Sequence, residues 1–295
     1  MYLIETKNLS KKYGQQLAVN RLNIKIAAGK LTGYLGTNGA GKSTTIQMLT
    51  KTLMPSSGKI LYANQNKTIA MGVVFQNSVL DDELTVFDNL FLRGQMYQKT
   101  EKQAIISLMK KTGVYLFAKK KYSELSGGMR RKVDITRALI NQPAILFLDE
   151  PTTGLDPQSR KEIWALLNEL KRNGLAIFLT THYLEEAEFA DYIYILEKGS
   201  IVEEGSLDEL KKKYAQPFVR LESKQMTLLE TSLASYQTKK ISANSIEVYL
   251  KNKDEVILLL QRVKDFIDNF SYQPLGMNEV FLKITGKVMH HDSLM

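Results

Sequence analysis

The chain has 295 residues, 44% of them hydrophobic and 24% charged, which is room for one large and one small domain with a real core. It contains no cysteine, which excludes a disulfide framework, a thiolate metal site and a cysteine nucleophile. The net charge is +9, yet residues 216–295 carry 10 Lys+Arg against 9 Asp+Glu, so the excess sits in residues 1–215. It gathers at Lys110-Lys111, Lys119 to Lys121, Arg130 to Lys132 and Lys211 to Lys213. No aromatic-interleaved basic patch accompanies these clusters, so they read as solvated helix faces, and no nucleic-acid partner is expected. No stretch approaches the ~18 consecutive apolar residues of a membrane span. The start, Met1 to Ile4 followed by Glu5, Lys7 and Lys11, lacks the apolar core of a signal peptide.

Residues 1–30 alternate apolar and polar positions between Gly14 and Gly29, which predicts short antiparallel strands. Leu31 to Leu35 reads as a strand running into a glycine-rich loop. Thr44 to Leu53 follows as a helix closed by Pro55 and Gly58, and Met71 to Phe75 as a further strand. Over about 81–140 the spacing turns helical, from Val86 and Leu90 through Ile105, Leu108 and Met109 to Val133 and Leu139, which predicts a helical insert. Ile145 to Leu148 and Ala176 to Leu179 are continuous apolar runs, as parallel strands covered on both faces require; helix 157–172 joins them as a right-handed crossover. Tyr192 to Leu196 adds another strand.

After Pro217 the pattern restarts: a strand at Val219 and Leu221, a helix over Leu228 to Leu233, a strand at Ile246, Val248 and Leu250, a helix from Val256 to Ile267, then a strand and short helix ending near Gly286. The expected organisation is an α/β domain over 1–215, a small α+β domain over 216–286, and a tail over 287–295. His290-His291 on that tail is not read as a metal site, because adjacent residues do not face one ligand position.

Gly36-Thr37-Asn38-Gly39-Ala40-Gly41-Lys42-Ser43 fits G-x-x-x-x-G-K-[ST] between a predicted strand and helix. Glycines let successive backbone N–H groups turn toward a triphosphate, and the helix N-terminus adds positive charge. Lys42 is then placed for the β- and γ-phosphates, and the Ser43 hydroxyl suits Mg²⁺, a hard cation that prefers oxygen. The loop alone says only that a nucleotide binds. Asp149 and Glu150 end the strand Ile145 to Leu148, at the edge of a parallel sheet where ligands bind. The pair either caps the turn at Pro151 or works on the nucleotide, with Asp149 in the Mg²⁺ shell and Glu150 taking a proton from the attacking water. Leu125-Ser126-Gly127-Gly128-Met129 opens a helix. By itself it is a capping motif that can expose a helix N-terminus to an anion.

With these motifs in this order, residues 2–215 resemble the ABC ATPases, P-loop NTPases whose LSGGQ-type signature lies where Leu125 to Met129 lies here. Met129 stands in place of the signature glutamine. The resemblance implies a mixed-sheet core with an antiparallel N-terminal subdomain and a helical insert. It also implies roles. Tyr13 stacks on adenine, and Asn38, Gly39, Ala40, Gly41, Lys42, Ser43 and Thr44 bind the nucleotide. Gln76 senses Mg²⁺ and water, Asp156 belongs to the D-loop, and His182 is the switch histidine that joins Glu150 and Gln76 in catalysis. Ser43, Gln76 and Asp149 are the implied metal ligands. Ser126, Gly127 and Gly128 close over the γ-phosphate of a facing subunit, so ATP drives dimerisation, with a homodimer the simpler expectation. The cofactors are ATP and Mg²⁺.

Thr152 to Pro157, Leu84 to Leu90 and the ending Gly276 to Gly286 resemble the branch that powers drug- and polysaccharide-type exporters. A separate transmembrane permease subunit is then implied, with the chain peripheral on the cytoplasmic face of the cell membrane. Two other classes stay open: a soluble ABC ATPase acting on ribosomes or nucleic acid, and a nucleotide-dependent regulator.

Overall fold

The computed structural model describes residues 1–63, 69–98, 100–214, 217–252, 254–273 and 276–286; the expected tail with His290-His291 lies outside them. The chain divides into two compact units, Met1–Gly205 and Ser206–Met295.

The first unit runs β1 (Tyr2–Tyr13), β2 (Gln16–Leu22), β3 (Lys25–Ala27), β4 (Leu31–Gly36), α1 (Lys42–Leu49), β5 (Ser57–Tyr62), β6 (Met71–Val74), α2 (Val86–Gln98), α3 (Lys102–Lys111), α4 (Gly127–Leu139), β7 (Ile145–Asp149), α5 (Pro157–Arg172), β8 (Ala176–Thr181), β9 (Tyr192–Glu197) and β10 (Ser200–Gly205). β1 pairs antiparallel with β2, β3 and β5. The larger sheet has the order β10-β9-β4-β8-β7-β6. Its pairs are parallel from β9 to β6, and β10 returns antiparallel on β9.

The two sheets share one core. Ile4, Leu9, Val19, Ile24 and Ile26 pack with Tyr34, Phe147, Phe178 and Tyr194, and α1 adds Ile46, Met48 and Leu49. Every residue of β4, β7 and β8 is buried, which is why Ile145 to Leu148 and Ala176 to Leu179 read as unbroken apolar runs. α5 starts where Asp156 caps it, accepting from Ser159 N at 2.9 Å with Pro157 following. It buries Ile163, Trp164, Leu167 and Leu170, a helical stripe laid along β8.

The insert has its own core of Val86, Leu90, Ile105, Met109, Val114, Phe117, Tyr122 and Val133. Two predicted bounds shift. The helix expected over 44–53 is α1 at Lys42–Leu49, and Gly58 lies inside β5 rather than in a turn.

The second unit runs α6 (Leu207–Tyr214), β11 (Phe218–Glu222), α7 (Met226–Ser232), β12 (Gln237–Ser242), β13 (Ser245–Tyr249), α8 (Glu255–Val263), β14 (Asn269–Gln273) and α9 (Met277–Thr285). Its antiparallel sheet has the order β12-β13-β11-β14. α7 and α8 close one face through Leu229, Leu233, Leu259 and Val263 on Val219, Leu221, Ile246 and Val248. The unit begins at Ser206 rather than at 216. Helix α6 is the reason: it packs on α9 and buries Leu210, so the lysine-rich segment 211–213 belongs to the smaller unit.

Candidate nucleotide site

The carboxyl ends of β4 and β7 and the turn between β1 and β2 meet at an open cleft of about 460 Å³. It is lined by Tyr13, Gln16, Ala18, Asn38, Gly39, Gly41, Lys42, Ser43, Thr44, Gln76 and Glu150. Of the predicted nucleotide contacts only Ala40 turns away. Its side chain is 2% exposed within the core, and its N–H donates to Thr37 O at 3.1 Å. Gly41 caps α1 at φ 98°, and a Cβ there would stand 2.5 Å from Ala18 O, so no other residue fits. Tyr13 is 46% exposed at the cleft edge, with the Lys11 ammonium 5.4 Å from its ring centre.

Lys42 is 5% exposed. Its Nζ donates to Gly36 O at 2.8 Å and Thr37 O at 3.3 Å, and lies 3.2 Å from Glu150 Oε1. The second oxygen, Oε2, lies 3.2 Å from His182 Nδ1 and accepts from Thr153 Oγ1 at 3.3 Å. The imidazole Nδ1 meets no full hydrogen-bond geometry with that oxygen, so the two side chains are in contact without a well-directed hydrogen bond. His182 and, more weakly, Lys42 hold the Glu150 carboxyl down to about 2, against burial that opposes its charge.

The backbone of Glu150 is itself unusual. Its φ is 48°, a left-handed conformation rare for a non-glycine residue. Thr180 at the end of β8 fixes it there: Glu150 N donates to Thr180 O at 3.2 Å and to Oγ1 at 3.0 Å, while Oγ1 donates to Asp149 Oδ1 at 2.5 Å.

Ser126, Gly127 and Gly128 do not line the cleft. They form the start of α4, where Ser126 Oγ accepts from Met129 N at 3.4 Å. A Cβ on Gly128 would stand 2.2 Å from Ser159 Oγ, so helix α4 approaches α5 through this glycine. Asp156 also holds Ser159, accepting from its Oγ at 2.6 Å. One chain therefore offers the phosphate loop and the signature as separate surfaces.

Four residues at the site were given no role by the sequence. Gln16 and Ala18 reach the cleft only because β2 folds back on β1. Thr180, two residues before His182, is a buried hydroxyl at the end of an apolar run. Arg131 on α4 donates to Phe75 O at 2.7 Å and Gln76 O at 3.1 Å, clamping the segment that carries Gln76 to the signature helix. For Mg²⁺, the candidate donors Ser43, Asp149 and Gln76 are all oxygen ligands. No cluster of His, Cys, Asp and Glu able to hold a metal occurs among the described residues. That set suits an ion that takes one or two protein oxygens and completes its shell from phosphates and water.

Residues 19–153 match the family described as ABC transporter. Over 97% of its length the chain is 35% identical to the Nod factor export ATP-binding protein I of Rhizobium johnstonii, covering 96% of that protein. It is 32% identical to the protein of that name from Burkholderia lata, covering 98% of it. A nucleotide-free ATP-binding cassette from an ABC transporter superposes with a TM-score of 0.65 at 27% identity, over 72% of this chain and 94% of that one. A dimeric cassette in a post-hydrolysis state, bound to ADP and Pi, superposes with a TM-score of 0.61 at 28% identity, over 69% of this chain and 98% of that one.

Proposed function

The chain belongs to the ABC transporter family of ATP-binding, ATP-hydrolysing subunits, and we propose that it powers an exporter whose membrane-spanning permease is a separate polypeptide. The observation that carries this reading is the cleft in which Lys42, Ser43, Gln76 and Glu150 converge beneath the exposed Tyr13. Adenine stacks on Tyr13 and the phosphates lie along Asn38 to Thr44. To receive them, Lys42 exchanges its contact with Glu150 for the β- and γ-phosphates. Ser43, Asp149 and Gln76 would hold Mg²⁺, which when bound neutralises phosphate charge.

Two copies of the chain pair so that Ser126, Gly127 and Gly128 of one close over the γ-phosphate held by the other. Their absence from the cleft of a single chain supports this. Glu150, ionised at neutral pH, orients the attacking water and accepts its proton while His182 contacts the γ-phosphate. Asp156, which caps α5 beside the signature, belongs to the same surface. Hydrolysis leaves ADP and phosphate, two anions that repel one another, and the closed pair loosens.

Export and a permease partner are supported by relatives that match nearly the whole chain and carry export in their names. That full-length match also favours this reading over a ribosome- or nucleic-acid-directed ATPase. No described helix is long and apolar enough to cross a membrane. The permease would then hold the chain at the cytoplasmic face of the cell membrane. The second unit is proposed as an accessory domain beginning at Ser206.

The test is phosphate release and oligomeric state of the purified chain with ATP and Mg²⁺. The wild type is expected to turn over, and Glu150→Gln to accumulate as an ATP-dependent dimer. Hydrolysis by Glu150→Gln at the wild-type rate would remove the role given to Glu150.

A further inference from the structure

We propose that Glu186 is a positioning residue for the reacting pair, bracing the loop that follows Glu150 to the segment that carries His182. The inference rests on the assignment of Glu150 and His182 made above. Leu184-Glu185-Glu186-Ala187-Glu188 reads as a run of solvated carboxylates, and Glu185 and Glu188 are indeed exposed. Glu186 is not: it is 5% exposed. A carboxyl is rarely buried without a task, because removing its charge from water is costly. Its Oε1 accepts a hydrogen bond from Thr152 Oγ1, and its Oε2 is buried with no hydrogen-bond partner among the described residues; burial raises its pKa, and the Thr152 and Thr181 hydroxyls oppose that rise. An acceptor left unsatisfied beside a reacting site is a poor device for stability alone.

The connections close a ring. Thr152 is wholly buried and follows Glu150 by two residues, and its neighbour Thr153 donates to Glu150 Oε2 at 3.3 Å. Glu150 meets His182 at 3.2 Å. His182 follows Thr181 directly, and Glu186 N donates to Tyr183 O at 3.2 Å in the turn Leu184–Phe189. That turn is anchored on α5: Trp164 stacks on Phe189 at 4.5 Å, and the Arg160 guanidinium lies 4.6 Å from the Tyr183 ring centre.

Glu186 therefore reaches from a turn fixed to a rigid helix into the loop after the general base. Thr180 holds the strained Glu150 backbone from the β8 side, and Glu186 through Thr152 holds the same loop from the α5 side. Removing either partner of the second contact frees the loop without touching the phosphate loop. A misplacement on the order of 1 Å at a reacting group costs about 100-fold in rate.

The experiment measures phosphate release, KM for ATP and unfolding midpoint for Glu186→Ala, Glu186→Gln, Thr152→Val, Thr152→Ser and the Thr152→Val/Glu186→Ala double variant, with Glu150→Gln as reference. Glu186→Ala and Thr152→Val are expected to lower kcat about 10- to 100-fold while KM stays within about threefold. The double variant is expected to be no worse than the poorer single, because both remove one link. Glu186→Gln and Thr152→Ser, which keep an acceptor and a hydroxyl, are expected to stay within about threefold of wild-type kcat. Wild-type kcat in Thr152→Val, losses that multiply in the double variant, or a rise in KM at constant kcat would overturn the brace. If Glu186→Ala fails to fold, the Thr152 pair decides alone. Full turnover by Glu150→Gln would instead sink the assignment of the general base, whereas an inactive Glu150→Gln beside an unaffected Thr152→Val would sink only the brace.

Discussion

Replacing Glu150 by Gln is expected to tighten ATP binding while it slows hydrolysis, because the Lys42–Glu150 ion pair competes with the phosphates for Lys42. Lys42 Nζ lies 3.2 Å from Glu150 Oε1, with side chains 5% and 11% exposed. At an effective dielectric of about 20, two unit charges at that distance attract by about 5 kcal/mol. Most of that is offset by removing both groups from water and by the new contacts Lys42 makes to phosphate. A residual of about 1 kcal/mol corresponds to about fivefold in Kd. The substitution leaves Lys42 in place, since its bonds to Gly36 O at 2.8 Å and Thr37 O at 3.3 Å remain. It also removes a negative charge from beside the triphosphate. Titration calorimetry of wild type and variant with ATP in EDTA, where no turnover occurs, gives the two affinities; phosphate release with Mg²⁺ gives the rates. ATP is expected to bind about five- to tenfold tighter, with a smaller gain for ADP, and to be hydrolysed at least about 100-fold more slowly. An unchanged or weaker ATP affinity would refute the argument that the Lys42–Glu150 contact opposes nucleotide entry.

The same carboxylate has a pH signature. Its folded value of about 2 lies below the ordinary 4.5, so its contribution to stability is fully present above about 4.5 and is lost as pH falls toward 2. The stability difference between wild type and Glu150→Gln, from urea melts, should shrink over that window, and a constant difference would contradict it. Gly128→Ala places a methyl 2.2 Å from Ser159 Oγ and 2.6 Å from its Cβ. Overpacking of this kind costs about 1–3 kcal/mol. Thermal melts should show a drop of several degrees that Ser159→Gly partly restores, and no drop would mean that the two helices separate freely. Arg131→Met removes charged hydrogen bonds to the Phe75 and Gln76 carbonyls and takes a positive charge from the surroundings of the buried Asp134. A loss of about 2–4 kcal/mol in denaturant melts is expected, and a loss under about 0.5 kcal/mol would deny that the contact matters to the fold.

The parts of the molecule that were legible in the sequence are those where chemistry leaves no choice of residue. Gly41 must be glycine because its φ is 98° and Ala18 O blocks a side chain. Ile145 to Leu148 of β7 and Ala176 to Leu179 of β8 must be apolar because both faces are covered. Elements held by backbone bonds alone left no such mark. β12 is exposed at every residue and exists through its pairing with β13. The domain boundary was obscured for a related reason. Leu210 is the one buried residue of α6, too little to tell a packed helix from a solvated lysine run. At the site, residue types announced Lys42, Glu150 and His182. The hydroxyl of Thr180 and the carboxyl of Glu186 acquire their partners only when distant segments meet, and one buried glutamate among three looks no different from its exposed neighbours.

The central claim is that a working site takes its phosphate loop from one chain and its signature from another. Mixing two defective variants tests it most directly: Lys42→Ala, which keeps its signature, and Ser126→Phe, which keeps its phosphate loop. Each alone is expected to be inactive. In an equal mixture half of the two-fold dimers are mixed and each carries one intact site, so hydrolysis should return to up to roughly a quarter of the wild-type rate. Turnover by Ser126→Phe alone, or a mixture as inactive as its components, would contradict the shared site.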